Sequence, residues 1–244
     1  MSSAAIIQAR LGSSRLPGKV LLPLEGKPVI QWVAERVARS SLLDDTIVAV
    51  PDTAEDRALA LALEEEGVRV FRGANLDVRS RYIDAAREIG ADTVVRVTGD
   101  CPLVDPGLVD RALAAFGAGG ADCVSLGTPG GFPRGFDAEV FSLAALERVK
   151  RIHPDEIAAE HVTLGFYRSG SDFAVEQVSA PPPLHAPDLR VCLDEYSDYE
   201  LLSALCARLG DGLERATAED VIRLLRDDPE LAAINSDVVQ RTPT

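Results

Sequence analysis

Apolar positions along this chain fall into short blocks at two different spacings. Ala4–Ile7 and the stretches 46–50, 68–71 and 93–97 are brief runs dominated by Ala, Ile and Val, and they read as buried strands. Between these runs, apolar residues recur at helical spacing. Val29, Val33 and Val37, widened by Ile30 and Trp32, predict an amphipathic helix over 28–40 with Pro28 at its first position. Further helices are predicted over 54–66, capped by Asp52 or Thr53 and stopped by Gly67, and over 76–89, stopped by Gly90. Another, over 107–116, is capped by Asp105 ahead of Pro106, and a strand is expected over 121–125. Strands alternating with helices imply an α/β fold, with a mostly parallel sheet and helices on both faces.

The alternation breaks at GTPGGFPRGFDAEVFS, residues 127–142. Helical stretches come next, near 142–151 and 154–168, then a strand-like stretch over 171–178 and a Pro-rich loop over 180–187. The whole of 127–187 reads as an insertion that forms a lid or meets a partner, because irregular loops of this length are usually functional. A last strand is predicted over 189–193, then helices over 196–209, 217–227 and 229–234. The length of 244 residues fits one domain over 1–244 carrying that segment.

Charge narrows the function classes. Asp and Glu total 39 against 25 Lys and Arg, a net charge of −14, which argues against a nucleic-acid partner. No apolar run has membrane-spanning length, and MSSAAIIQAR does not resemble a secretory signal. Cys101, Cys123, Cys192 and Cys206 are widely spaced and read as reduced thiols, so a cytoplasmic protein is expected.

Within this acidic chain, QARLGSSRLPGK at 8–19 concentrates Arg10, Arg15 and Lys19 among Gly12, Ser13, Ser14, Pro17 and Gly18. Small residues let a loop turn its N–H groups toward an anion, and the loop after a first strand is a common phosphate site. The simpler alternative is a polar turn facing water. Lys19 is one of only three lysines, with Lys27 and Lys150, which favours a local anion site. The loop is not the G-x-x-x-x-G-K-[ST] phosphate loop: five residues separate Gly12 from Gly18, and Val20 stands where the metal-binding hydroxyl would be. A metal would have to be held elsewhere. Asp100 follows the strand at 93–97 and Asp194 follows the predicted strand at 189–193. On one rim of a parallel sheet the two carboxylates could hold Mg²⁺ against nucleotide phosphates, or each could simply cap a turn.

The opening QARLGSSRLPGKVLLPLEGKPVI, with VVRVTGDCPLVDP, RGFDAEVFS, EHVT and ELAAIN in that order, resembles the spore-coat polysaccharide cytidylyltransferases. These are relatives of the acylneuraminate and 3-deoxy-manno-octulosonate cytidylyltransferases. The resemblance spans nearly the whole chain and implies a Rossmann-like fold of the nucleotide-diphospho-sugar transferase type. It implies an enzyme that uses CTP and Mg²⁺ to activate a small sugar, sugar acid or related acceptor as a CMP or CDP conjugate, releasing pyrophosphate, and a homodimer. Carried over by motif, Arg15, Lys19 and Asp100 are the catalytic candidates, and Asp100 and Asp194 the metal ligands. Gln8, Ala9, Arg10, Gly12, Ser13, Arg15, Lys19, Thr98 and Gly99 are candidates for the nucleotide, and Arg134, Asp137, Glu139 and His161 for the acceptor. The chain departs from the family pattern at Ser80 (commonly Asp), Tyr196 (commonly Pro) and Ala159 (commonly Arg), which bears on the acceptor more than on the reaction. Two other readings are a glycosyltransferase of similar architecture, which usually carries Asp-x-Asp where this chain has Gly99-Asp100-Cys101-Pro102, and a non-catalytic nucleotide-binding module.

Overall fold

Side chains on a strand alternate between its two faces, so a strand buried on both sides feeds two cores. In β1 (Ser3–Gln8), Ala5 and Ile7 enter one apolar core, while Ala4 and Ile6 enter another on the opposite side of the sheet. The computed structural model, which describes residues 2–240 except 169 and 171, builds a seven-stranded sheet between these two cores.

After β1 the basic loop leads through a turn of 3₁₀ helix, Lys19–Leu21, into a small hairpin of β2 (Pro23–Leu24) and β3 (Lys27–Pro28). Pro28 thus ends a strand, and the helix α1 (Val29–Val37) starts one residue later than its sequence suggests. Trp32 Nε1 donates to Leu24 O at 2.8 Å, which ties the helix to the hairpin. The chain continues through β4 (Asp45–Pro51), α2 (Asp56–Glu65), β5 (Val70–Gly73), α3 (Val78–Ile89), β6 (Thr93–Thr98) and α4 (Pro106–Gly117). Asp105 caps α4 by accepting from Gly107 N, as expected of a residue before Pro106.

The second half is built differently. β7 (Cys123–Leu126) is followed by β8 (Ala138–Ser142), which runs antiparallel to both β6 and β7. Next come α5 (Leu143–Ile152), α6 (Glu156–Glu160), α7 (Leu164–Arg168) and β9 (Val175–Gln177), the last parallel to β7. The helices α8 (Tyr196–Leu209), α9 (Ala218–Asp227) and α10 (Pro229–Ala233) complete the chain. Strand order is β5-β4-β1-β6-β8-β7-β9.

Several expectations from sequence are corrected. The segment 127–187 carries β8 and β9 and is woven into the sheet, so the parallel order stops at β6. Residues 189–193 form no strand of the sheet, because β8 already occupies the place beside β6. They cross the sheet's carboxyl rim instead, with Val191 N donating to Arg134 O and Leu193 N to Asp100 O, each at 2.8 Å. The predicted helix over 154–168 is two short helices, interrupted at Val162, whose φ of 33° no helix tolerates. The strand expected over 171–178 shortens to β9, and Ser171 lies outside the described residues. All four cysteines are buried and none forms a disulfide. Among the described residues no helix is long and apolar enough to cross a membrane.

Candidate active site

The loop after β1 is held in shape by its own backbone and by α2. Ser13 N and Gly18 N both donate to Leu11 O, at 2.8 and 3.0 Å. The buried Asp56 of α2 accepts from Leu11 N at 2.8 Å. Gly18 adopts φ 71°, where a side chain would be strained, and this turn aims Lys19 inward. Gly12 has open space around it and does not line the cleft.

Lys19 joins three parts of the chain. Its Nζ lies 2.6 Å from Asp100 Oδ2, 2.9 Å from Asp194 Oδ1 and 2.7 Å from Leu193 O. Its burial works against the charge, but Asp100 and Asp194 outweigh that and raise its pKa. Burial likewise opposes ionisation of Asp194. Lys19, Arg190 and Arg15 overcome it and hold the carboxyl at about 2. Arg15 pairs with Asp194 at 2.9 Å and Glu195 at 3.3 Å, and Arg10 with Glu160 at 3.8 Å on the exposed lip.

Two cavities open on this cluster. One, of about 250 Å³, is bordered by Gln8, Ala9, Arg10, Ser13, Arg15 and Lys19, with Thr98 and Gly99 from the end of β6. The other, of about 610 Å³, is bordered by Arg134, Asp137 and Glu139. Asp100, Asp194, Arg15, Arg96, Thr98 and His161 line both. The residues that the sequence assigned to nucleotide and acceptor, Gly12 excepted, therefore meet in one two-lobed cleft at the sheet's carboxyl rim.

Their local roles differ. Gly99 packs against the β1 end: a Cβ there would come within 2.9 Å of Gln8 O and of Ile30 Cδ1. Glu139 is committed to three donors, Arg96 Nη1 at 2.6 Å, Tyr167 Oη at 2.7 Å and Thr163 Oγ1 at 2.9 Å. Asp137 accepts from Gly135 N at 2.8 Å, and burial raises its pKa. Arg134 makes no side-chain hydrogen bond or ion pair among the described residues. His161 caps the end of α6, and burial lowers its pKa, so the imidazole is neutral at pH 7.

Whole-chain comparison decides the family. A profile of the family described as cytidylyltransferase matches residues 4–209. The chain belongs to the cytidylyltransferase family. It is 33% identical over 232 residues to the spore coat polysaccharide biosynthesis protein SpsF of Bacillus subtilis, covering 93% of this chain and 95% of that one. It is 38% identical over 132 residues to the 3-deoxy-manno-octulosonate cytidylyltransferase of Trichlorobacter lovleyi, covering 53% of this chain and 47% of that one. Its fold matches the structure of a cytidylyltransferase from Leptospira borgpetersenii with a TM-score of 0.90 at 27% identity, over 99% of this chain and 100% of that one.

In this cytidylyltransferase, sequence reasoning missed four arginines around the cleft or the elements that frame it. Arg96 stands on β6 between the two cavities. It donates through Nε to Gln8 Oε1 at 3.3 Å and through Nη1 to Glu139. Because Nε can only donate, it settles that the Gln8 amide oxygen faces it, which leaves the Gln8 N–H₂ without a partner among the described residues. Arg81 borders the smaller cavity and is anchored on Ala74 O at 2.6 Å. Arg79 anchors α3 on His153 O at 2.7 Å. Arg190 grips Asp194. A signal existed for two of them: Arg96 and Arg190 interrupt apolar runs, VVRVT and LRVCL, where a charge must find a partner. Ser80 accepts from Lys150 Nζ at 2.7 Å.

Proposed function

We propose that this cytidylyltransferase transfers the cytidylyl group of CTP to a small sugar, sugar acid or related acceptor, with Mg²⁺, and releases pyrophosphate. One observation carries the reading: the Lys19 ammonium bridges Asp100 and Asp194 where the two cavities meet. The smaller lobe, with the basic loop on its wall, takes the triphosphate; the larger takes the acceptor.

The residues present fit Mg²⁺. Two carboxylates already converge on one cation, Lys19. Among the described residues no group of three or more potential ligands surrounds the place, and Mg²⁺ needs only one or two protein carboxylates, taking phosphate oxygens and water for the rest. Asp100 and Asp194 would hold the ion, and its chemistry there is to neutralise developing charge on the phosphates. Lys19 and Arg15 exchange their carboxylate partners for the β- and γ-phosphates, which stabilises the leaving pyrophosphate. An acceptor oxygen in the larger lobe attacks the α-phosphorus, and the walls of the cleft fix its approach. Arg134, Asp137, Glu139 and neutral His161 orient that acceptor. The relatives' names favour a polysaccharide precursor, and the segment 127–187, with Ile152, Ile157 and Tyr167 exposed on its surface, is assigned to a contact with a second subunit.

The test is pyrophosphate release from CTP and Mg²⁺ across a panel of sugars, sugar acids and sugar phosphates. Release that needs both CTP and one class of acceptor is the expected result. Release from ATP, GTP or UTP at equal rates, or turnover only with a preformed nucleotide sugar, would defeat the proposal.

A further inference from the structure

Asp198 is a carboxylate with no exposed surface, in the first turn of α8. Its Oδ2 accepts from the backbone N–H groups of Asp194 at 2.8 Å and Glu195 at 3.0 Å, and from Arg190 Nη2 at 3.3 Å. Its Oδ1 accepts from Arg190 Nε at 2.9 Å and Asn235 Nδ2 at 2.8 Å. A buried carboxylate needs such a complete set of donors, and here they converge from the crossing segment, α8 and the end of the chain. Arg190 extends the network, with Nη2 on Asp194 Oδ2 at 2.6 Å and Nη1 on Gln240 Oε1 at 2.7 Å.

The consequence for Asp194 is a division between its two oxygens. Oδ2 is tied to Arg190, and the backbone N–H is tied to Asp198. Oδ1 alone faces the cleft, toward Lys19 and Arg15. Asn235, which is 5% exposed, also donates to Arg190 O at 3.2 Å and so fixes both partners of Asp194 at once. Asn235 closes the ELAAIN stretch, and both it and Gln240 lie beyond residues 4–209, which the family profile matches.

We propose that Asp198, Arg190 and Asn235 are positioning residues that present Asp194 Oδ1 to the metal, which makes the chain's last turns a working part of the active site. This rests on reading Asp194 as a metal ligand. Groups that orient a ligand from behind typically change metal affinity by about 10- to 100-fold when removed. If the network only anchored the end of the chain, its loss would lower stability and leave metal affinity alone.

The experiment titrates Mn²⁺ into the full chain with saturating CTP and no acceptor, and follows the free ion by electron paramagnetic resonance. Wild type is expected to take up Mn²⁺ with a stoichiometry near one. Asn235→Ala is expected to bind about tenfold more weakly at the same stoichiometry, which separates altered affinity from loss of folded protein. CTP affinity in EDTA is expected to stay at the wild-type value. Wild-type Mn²⁺ affinity in Asn235→Ala overturns the inference and leaves the proposed function standing. Absence of CTP-dependent Mn²⁺ uptake by wild type defeats that function, and the inference with it. If Asn235→Ala does not fold, Gln240→Ala, which removes the acceptor of Arg190 Nη1, decides: weaker Mn²⁺ binding at the same stoichiometry supports the network, and wild-type affinity overturns it.

Discussion

The two halves of the sheet use charge in opposite ways. In the parallel half, β5-β4-β1-β6, the charge that meets the cleft lies past the strand ends, except for Arg96 on β6, the strand that borders the other half. There Lys19 and Arg15 pair with Asp100 and Asp194, whose carboxylates they would have to release to meet a triphosphate. In the half built by β8, β7 and β9, charge enters the sheet itself. Arg96 and Glu139 face each other across the antiparallel pair β6 and β8, and Thr163 and Tyr167 complete the Glu139 shell. Arg134 is left unpaired among the described side chains. The first arrangement suits exchange of partners on binding a ligand; the second suits a fixed wall with one guanidinium to spare. A regular βαβ frame can thus be common to many enzymes, while the irregular half gives this cleft its larger lobe.

The largest effect that would test this contrast is on turnover. Asp100→Asn and Asp194→Asn are each expected to lower kcat by about 10³-fold with the fold retained by circular dichroism, a loss of the size seen when one electrostatic stabiliser is removed. The double variant should be little worse than either single one, because the pair acts as a unit. Multiplying losses would mean the carboxylates act separately.

In the fixed wall the effect should fall on stability. Glu139→Ala strands Arg96 and two hydroxyl donors, and an unfolding cost of about 3 kcal/mol is expected in urea titration. A cost near zero would show that Glu139 is not the clasp of this half.

Acid should separate the halves next. The folded Asp194 pKa of about 2 lies below the ordinary aspartate value of 3.8. Its contribution to stability is therefore full above pH 4 and is lost as pH falls toward 2. The difference in unfolding free energy between wild type and Asp194→Asn is expected to be about 2 kcal/mol above pH 4, to fall as the pH drops to 2 and to vanish below it. A difference that does not change with pH would contradict the pairing. The smallest effect is expected at the spare guanidinium. Arg134→Ala should raise the acceptor KM by about tenfold, the cost of one charged hydrogen bond, and leave CTP affinity unchanged.

The parallel half is legible in the sequence because its strands and helices keep one period each. Asp105 and Pro106 announce α4, and apolar runs announce β1, β4 and β6. The other half is not. β8 lies inside the Gly- and Pro-rich stretch 127–142, so its short alternation, Ala138, Val140, reads as loop. With β8 hidden, 189–193 takes its place as a strand, although Val191 and Leu193 bury their side chains while crossing the rim. The sequence does bring Lys19, Asp100 and Asp194 to one rim, but by way of that wrong strand. The wider role of Asp198 cannot be found from sequence, since an acidic residue in a helix's first turn reads only as the cap it also is, and its further partners lie at Arg190 and Asn235.

Lys19 holds a place between two carboxylates that, under the proposed function, a divalent ion takes over when the nucleotide arrives. Anomalous diffraction from crystals grown with CTP and Mn²⁺ tests it most directly. One Mn²⁺ peak between Asp100 and Asp194 is predicted, with Lys19 Nζ moved onto the triphosphate. Lys19 still bridging the two carboxylates, with the ion and nucleotide bound elsewhere, would contradict it.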